Sequence, residues 1–355
     1  MTTQRKPIAI YYEHPDWFRP LFDELDRRAV PYVRVDASRG SFDPSEKPTG
    51  YALLFNRMSA SAYLRGHANA VFYTRDFLAH LERAGLRVVN GYDSFIIETS
   101  KAAQLSLLGS LGLQYPRTRI INHAGEAARA ADDFRFPVIV KPNIGGRGAG
   151  VARFDTPGAL ALAAEDGRIE LGVDSTALVQ EFIPARGHHI TRVETLSGKF
   201  LYAIKVSTTG DSFNLCPAEI CQVEREAEQG IVQEDAGRNA EGIERQGVER
   251  QDFELCLVDA PKKGLVVEAF EPPAEIVEAV ERIAKAARMD LGGVEYIVDD
   301  RDGRALFYDI NALSNFVADA VRVVGFDPHA RLVDFLEEEV LRCDTATGSR
   351  FSAAG

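Results

Sequence analysis

Apolar and polar positions follow two different rhythms in the N-terminal part of the chain. Short β-prone runs alternate with stretches whose apolar residues recur at helical spacing. We predict strands over residues 6–12, 31–35, 51–55 and 86–90, and helices over residues 16–29 and 73–84. Strands that alternate with helices favour a mostly parallel sheet, whose ligands lie at the carboxyl ends of the strands.

The segment NRMS, residues 56–59, directly follows the third of these strands, so its side chains fall at the edge where ligands bind. Arg57 is a candidate for a substrate carboxylate, because its planar guanidinium group suits two parallel hydrogen bonds. A surface arginine in a loop explains the same pattern equally well.

Lys101 stands in the first turn of a helix predicted over residues 100–111, which Ser100 is placed to cap. A lysine at this position opposes the helix dipole, which indicates an anion from outside the helix. A solvated surface lysine is the alternative.

A glycine-rich loop joins two β-prone runs within residues 136–154, and Lys141 ends the first run. The loop contains Gly145, Gly146, Gly148 and Gly150. Glycine lets a backbone approach an anionic oxygen closely, so the loop N–H groups can cradle phosphates while the lysine adds a charge. A Walker A loop is excluded because that motif has its lysine after the glycines and before a helix, whereas here the lysine precedes the loop and no helix follows. A Rossmann fingerprint is excluded because the glycine spacing of that motif is absent here. A plain glycine-rich turn stays open.

The middle of the chain continues with mixed elements and then loses its pattern. We predict an extended segment over residues 116–121, helices over residues 123–132 and 157–165, a strand over residues 176–183, and a hairpin of residues 190–196 and 199–206. Residues 207–271 are charged and poor in large apolar side chains, so we expect an excursion from the core with a partly mobile middle. Cys216, Cys221 and Cys256 lack the spacing of a zinc site, and we expect buried thiols.

Two carboxylates and a carboxamide come together on the last predicted hairpin. Its strands are expected over residues 292–298 and 305–311, between helices over residues 272–289 and 332–341. Side chains alternate along a strand, so Asp309 and Asn311 share a face. With the turn near residues 302–303, Glu295 is expected opposite Asp309 or Asn311, and either of these two registers puts all three on one face. An all-oxygen set suits Mg²⁺. A solvated sheet face is the alternative, although Asn and Asp are poor strand formers.

The composition limits the classes of function. The chain has 355 residues, 45% of them hydrophobic and 26% charged, which is typical of a globular protein with two or three domains. Its net charge of −12 argues against a nucleic-acid or anionic-membrane surface. No apolar stretch could span a bilayer, and the N-terminus lacks an apolar signal core. With four cysteines in a chain of this length, we expect reduced thiols and a cytoplasmic location.

Together these pieces resemble the ATP-grasp superfamily, and in order and spacing its RimK-type branch, which includes α-L-glutamate ligases and the carrier-protein ligases of lysine biosynthesis. The segment VKPNIGGRGAGV, residues 140–151, carries the resemblance most strongly. YDIN at residues 308–311 stands where the family has Glu-x-Asn, and NRMS resembles its Asn-Arg-x-x-Ser segment. The resemblance covers roughly residues 53–316.

The resemblance implies an α/β fold with α+β lobes. An N-terminal parallel α/β domain over residues 1–98 would hold the acceptor substrate. A central ATP-grasp lobe over residues 99–184 and a C-terminal lobe over residues 185–345, which includes the excursion, would grasp ATP between them. One or two Mg²⁺ ions would accompany the nucleotide, with Mn²⁺ as the alternative ion.

The resemblance also implies a set of site residues. The phosphates would be held by Lys101, Lys141, Gly145, Gly146, Gly148 and Gly150. The base and ribose would meet Gln180, Glu181, Phe182, Ile183 and His189, although an exposed loop histidine is an equal alternative for the last. Catalysis is assigned to Lys141, Arg192 and Lys205, metal binding to Glu295, Asp309 and Asn311, and substrate binding to Asn56, Arg57 and Ser59.

The implied reaction is an ATP-dependent ligation of a carboxylate to an amine through an acyl phosphate, with release of ADP and phosphate. The partners would be a small-molecule or peptide carboxylate and an amine or amino acid, without nucleic acid or membrane, and the chain would form a homodimer or homotetramer. The alternatives are an ATP-binding regulatory or structural protein on the same fold, and an α/β substrate-binding protein without a nucleotide.

Overall fold

The computed structural model describes residues 5–14, 16–146, 148–208 and 265–352. The excursion expected at residues 207–271, with Cys216, Cys221 and Cys256, lies almost wholly outside the described residues. Within the described ranges the strands form three sheets, and every helix is too short or too polar to cross a lipid bilayer.

The first sheet is wholly parallel, as predicted from the alternation of strands and helices. Its elements are β1 (Ile8–Tyr12), α1 (Arg19–Arg27), β2 (Tyr32–Asp36), β3 (Leu53–Arg57), α2 (Ala68–Arg83) and β4 (Val88–Val89). The strand order is β2-β1-β3-β4, so the carboxyl ends of β1 and β3 meet where the winding reverses. Every residue of β3 is buried, because α2 packs against one face and α1 and the third sheet against the other.

The second sheet is antiparallel and contains the glycine-rich hairpin. Its strands and nearby helices are α3 (Tyr92–Glu98), α4 (Lys101–Ser110), β5 (Thr118–Ile121), α5 (Ala127–Ala130), β6 (Val138–Pro142), β7 (Ala152–Phe154), α6 (Pro157–Glu165) and β8 (Ala177–Glu181). The strand order is β5-β8-β6-β7. Ser100 caps α4 as predicted, since its Oγ accepts the Ala103 N–H at 3.1 Å. Helix α3 was not predicted, and the helix expected over residues 123–132 is reduced to a 3₁₀ turn and α5.

The third sheet is antiparallel and contains the carboxylate hairpin. Its elements are β9 (His189–Leu196), β10 (Lys199–Thr208), β11 (Leu265–Ala269), α7 (Ala274–Ala286), β12 (Leu291–Val298), β13 (Ala305–Asn311), α8 (Ala320–Val324) and α9 (Pro328–Ser352). The strand order is β11-β10-β9-β12-β13. Strand β11 and helix α8 were not predicted.

The two faces of the third sheet contact different parts of the molecule. One face packs against the apolar stripe of α7, with Val193, Val294 and Phe307 in that core. The other face joins the core of the first sheet through Ile204 and Val206 and then opens towards the second sheet. Side chains on this second face of β9, β12 and β13 therefore reach the space between the sheets.

Candidate active site

A cavity of about 1180 Å³ lies between the three sheets. The glycine loop and the end of β8 form one wall, and the second face of β9, β12 and β13 forms the other. The segment that follows β3 closes the third side with Ser59, Ala60 and Ser61. Most of the charged residues predicted to form a site line this one cavity, although they come from distant parts of the chain.

Two lysines face the cavity from adjacent elements. Lys141 is the next-to-last residue of β6 and is only 7% exposed. Burial, and then the positive charge of Lys101, lower the pKa of Lys141 to about 8. The Nζ of Lys101 donates to the main-chain oxygen of Gly145 at 3.0 Å. Two cations this close to each other indicate a site for an anion.

Asn143 joins the two elements that carry these lysines. Its Oδ1 accepts the Ala102 N–H at 2.8 Å at the start of α4, while its own main-chain oxygen accepts the Lys101 N–H. Its Nδ2 donates to Asp174 at 2.6 Å. The start of α4 and the end of β6 are therefore held in one arrangement by a single buried side chain.

The glycine loop passes close to the first domain. A Cβ on Gly145 would lie 3.5 Å from the Tyr63 hydroxyl, and one on Gly146 would lie 3.5 Å from the Cβ of Ser61. Gly148 and Gly150 have positive φ values of 73° and 69°. Gly150 does not line the cavity but shapes the turn, because a Cβ there would lie 2.7 Å from Pro142.

The end of β8 lines the far end of the cavity with Gln180, Glu181, Phe182 and Ile183. The Gln180 side chain is already engaged, since its Nε2 donates to the Thr118 hydroxyl at 2.8 Å. Arg153 lies over the Phe182 ring at 4.6 Å. A flat ligand at this end would thus meet main-chain and apolar groups. His189 also lines the cavity, and its Nδ1 lies 3.1 Å from the Gly187 oxygen.

The carboxylate hairpin has the register that puts Glu295 opposite Asp309, with Asn311 on the same face. Arg192 lies across from Glu295 on β9 and donates to its Oε1 at 3.0 Å and to Glu194 at 2.6 Å. Burial raises the pKa of Glu295, the Arg192 charge opposes this rise, and the Asp309 charge adds to it. A buried carboxylate beside a second, half-buried one is a site that a cation stabilises.

The oxygen atoms on this hairpin fit a divalent cation. Asn311 donates its Nδ2 to Asp309 at 3.2 Å, which leaves its Oδ1 as the group available to a ligand. Glu295, Asp309 and Asn311 then offer only oxygen, as Mg²⁺ prefers. Across the described residues there is no cluster of three or more His, Cys, Asp or Glu side chains that could hold a metal.

No protein-family model matches the chain. Among curated proteins, the large chain of carbamoyl phosphate synthase from Thermotoga petrophila is 26% identical over 117 residues, which is 30% of this chain and 10% of that protein. The match to the same protein of Thermotoga neapolitana is 27% identical over 117 residues. The similarity therefore spans about a tenth of the length of these relatives.

Solved structures match over nearly the whole chain. The ATP-grasp ligase PsnB, complexed with a minimal precursor, is 19% identical with a TM-score of 0.61 and covers 95% of this chain and 100% of its own. A RimK domain protein from Sphaerobacter thermophilus is 18% identical with a TM-score of 0.60, over 93% and 98% of the two chains. D-alanine–D-alanine ligase from Bacillus anthracis, complexed with ATP, is 15% identical with a TM-score of 0.61, over 97% and 100%. The chain has the ATP-grasp fold.

Lys205 is the clearest exception among the residues expected at the centre of this ATP-grasp fold. The β9–β10 pairing shifts at a bulge between Phe200 and Tyr202, so Arg192 pairs with Ile204 and Lys205 pairs with Thr191. Paired residues share a face, which puts Lys205 on the face opposite Arg192. Its Nζ lies 4.3 Å from the centre of the Phe270 ring and the residue does not line the cavity. This placement does not support its assignment to catalysis, which stays a prediction.

Asn56 and Arg57 were expected just past the end of a strand, at the edge of the sheet where ligands bind, but β3 continues through both. Asn56 is buried and holds the backbone, since its Nδ2 donates to the Asn90 oxygen at 3.1 Å. Arg57 donates to the main-chain oxygen of Ser314 and to Asn315 Oδ1 at 2.8 Å, beneath the cavity wall. Neither lines the cavity, so this placement does not support a direct contact of either with a substrate. Ser59, which caps the next turn, does line it.

Two functional candidates had no signal in the sequence. Glu98, at the end of α3, lines the cavity and accepts the Leu313 N–H at 3.1 Å. Burial raises its pKa to about 7, with Asp309 adding to the rise and backbone N–H groups opposing it. Tyr308 also lines the cavity and donates its hydroxyl to Glu295 Oε2 at 2.7 Å. Neither follows from hydrophobic periodicity, because the Glu98 contact joins distant elements and the Tyr308 contact depends on the register of its own hairpin.

Proposed function

We propose that this protein is an ATP-dependent ligase that joins a carboxylate to an amine through an acyl phosphate. The observation that supports this most directly is the single cavity that receives Lys101 and Lys141 from one side and Glu295 and Asp309 from the other. Opposed cations and carboxylates around one space suit a triphosphate together with its metal ion.

The nucleotide would lie along the cavity with its base at the end of β8. The glycine loop and both lysines would take the phosphates, because the loop offers main-chain N–H groups and the lysines offer charge. Glu295, Asp309 and Asn311 would hold one or two Mg²⁺ or Mn²⁺ ions, which supply charge neutralisation at the phosphates. His189 lines the same cavity as the end of β8 and is a candidate to bind the ribose or a substrate carboxylate.

The reaction requires that charge be neutralised and that water be kept out. A carboxylate oxygen of the acid attacks the γ-phosphorus and ADP leaves; an amine nitrogen then attacks the acyl carbon, and phosphate leaves with the former carboxylate oxygen. Arg192 faces the carboxylate hairpin and would stabilise the negative charge that develops on the acyl oxygen. Closure of the glycine loop against Ser61 and Tyr63 would exclude water from the acyl phosphate.

The proposal extends to the organisation of the chain. We assign residues 1–98 to the acceptor-substrate domain, residues 99–184 to the central lobe and residues 185–345 to the C-terminal lobe. The acid would be a small molecule or a peptide, and the amine a small molecule or an amino acid. PsnB, solved with a minimal precursor, is an example of a ligase with a peptide substrate, and D-alanine–D-alanine ligase is an example with a small-molecule substrate. We also propose a cytoplasmic location and a homodimeric or homotetrameric assembly.

The test is a screen for turnover with ATP, MgCl₂ and a matrix of carboxylic acids, peptides and amines. We expect ADP, phosphate and an amide detected by mass spectrometry in the same reactions, with Lys141→Met as the inactive control. Release of AMP and pyrophosphate would contradict an acyl-phosphate route. Tight binding of ATP without turnover for any pair would instead favour the regulatory protein on the same fold.

A further inference from the structure

A β-bulge in the carboxylate hairpin brings Asp309 onto the face of Glu295 and leaves Tyr308 unpaired beside both. Near the turn, β12 and β13 pair in the register of Tyr296 with Phe307. The register then shifts by one residue, so that Glu295 pairs with Asp309 and Tyr308 is left without a partner of its own. Without the shift, Glu295 would pair with Tyr308 and face away from Asp309. The bulge thus creates the carboxylate pair and frees Tyr308 at the same point.

The freed tyrosine closes a clamp on Glu295. Its hydroxyl donates to Oε2 at 2.7 Å, while Arg192 Nη1 donates to Oε1 at 3.0 Å. One donor on each oxygen fixes the plane of the carboxylate and leaves further acceptor capacity on both oxygens of a side chain that lines the cavity. The Tyr308 ring also lies 5.9 Å from Lys141 Nζ, so the clamp reaches the phosphate side of the cavity.

We propose that Tyr308 is a positioning residue that orients Glu295 towards the divalent cation of the nucleotide. The inference rests on the metal site of the proposed function. In this proposal the hydroxyl of Tyr308 acts on metal binding through Glu295, whereas the ring contributes packing. An experiment can separate these two contributions. Groups that hydrogen-bond to a metal ligand commonly change metal affinity by 10–100-fold when they are removed.

Tyr308→Phe removes only the hydroxyl oxygen and keeps the ring. Binding of the non-hydrolysable analogue AMPPNP is measured by calorimetry at increasing MgCl₂ and in EDTA. We expect the Mg²⁺ concentration at half-maximal enhancement of AMPPNP binding to rise about tenfold in Tyr308→Phe. AMPPNP binding in EDTA stays within twofold of the parent, because the ring and Lys141 are retained.

The matched control is Tyr11→Phe, which removes a buried hydroxyl bonded to Thr74 at 2.9 Å in the first sheet. It shares the loss of a buried hydrogen bond but lies outside the cavity, so its Mg²⁺ dependence should equal that of the parent. In a Glu295→Gln background, Tyr308→Phe should add no further change, since the carboxylate that it orients is gone.

The outcomes separate the failure of this inference from failure of the proposed function. An unchanged Mg²⁺ dependence in Tyr308→Phe, or an equal loss of AMPPNP binding in EDTA, would overturn the positioning role alone. If Glu295→Gln kept the Mg²⁺ dependence of the parent, the metal site would be wrong and the inference would fall with it. If the parent failed to bind AMPPNP, the proposed function itself would be overturned.

Discussion

The ammonium group of Lys101 donates a hydrogen bond to the main-chain oxygen of Gly145, 3.0 Å away, and so connects the first turn of α4 to the glycine loop. This contact resolves the conflict seen in the sequence, where a lysine opposes the dipole of its own helix. The lysine points across to the loop over which we propose that the phosphates lie.

Lys101→Met should therefore weaken the binding of AMPPNP with MgCl₂ by roughly 10–100-fold, because a hydrogen bond to a charged group contributes about 1.5–3 kcal/mol. Calorimetry measures the dissociation constant. Lys199→Met is the matched control, since that lysine, the first residue of β10, is exposed and pairs with Glu281 at 2.7 Å. Equal affinities for Lys101→Met and the parent would remove Lys101 from the site.

The pH dependence of nucleotide binding should follow Lys141. Burial and the neighbouring Lys101 lower its pKa from 10.5 to about 8. The lysine is charged below pH 8 and loses its proton above it, so AMPPNP binding should weaken between pH 8 and pH 9.5. Lys141→Arg should remove this alkaline loss, because arginine stays charged. A flat profile for the parent over this range would contradict a lowered pKa.

The same residue should cost folding stability. Between pH 8 and 10.5 the lysine of the unfolded chain keeps a proton that the lysine of the folded chain has lost, so folding stability rises with pH in this window. Below pH 8 the lysine is charged in both states, and the full loss of stability from burying its charge is present. Lys141→Met should then raise the free energy of unfolding at pH 7 by at most about 3 kcal/mol. The melting temperature at pH 7 should rise with it. Calorimetric scans at pH 7 and pH 10 would show the gain shrinking. A lower melting temperature at pH 7 would contradict the prediction.

Sequence reasoning was sufficient where one local rule decides the answer. The shared face of Asp309 and Asn311 follows from strand alternation alone. Prediction from the sequence failed at β-bulges, because a bulge leaves no trace in the hydrophobic pattern. A hairpin without the bulge at Phe200 would pair Lys205 with Ile190 on the face of Arg192, and one extra residue moves the lysine to the other face.

Burial of Arg57 shows a second limit of the sequence. Its position after YALLF is visible, but which strand ends are covered depends on how the sheets pack. The structure seats its guanidinium beneath Ser314, with Nε and Nη1 lacking a hydrogen-bond partner and with the pKa lowered to about 9 by burial. Such an arrangement follows from contacts between residues far apart in the chain, so local patterns cannot reveal it.

Two glycines of the loop should respond differently to alanine. Gly150 has a φ of 69° and a Cβ there would meet Pro142 at 2.7 Å, so Gly150→Ala should lower the melting temperature. Gly146 has room for a methyl group, with Ser61 Cβ at 3.5 Å, so Gly146→Ala should melt like the parent. It should nevertheless weaken AMPPNP binding several-fold, because the methyl group keeps phosphate oxygens from the backbone. The same loss of stability in both variants would count against this division.

The placement of Lys205 on the far face of the third sheet leads to the last prediction. Lys205→Met should keep phosphate release within twofold of the parent in any acid–amine pair found by the screen, because the side chain reaches Phe270 and not the cavity. Arg192→Lys should lower the rate at least tenfold, since one ammonium cannot replace guanidinium bonds to Glu295, Glu194 and Ser314 together. Melting curves of both variants separate this loss from unfolding. If Lys205→Met lost activity while Arg192→Lys kept it, the register of β9 with β10 and the face assigned to the cavity would both be wrong.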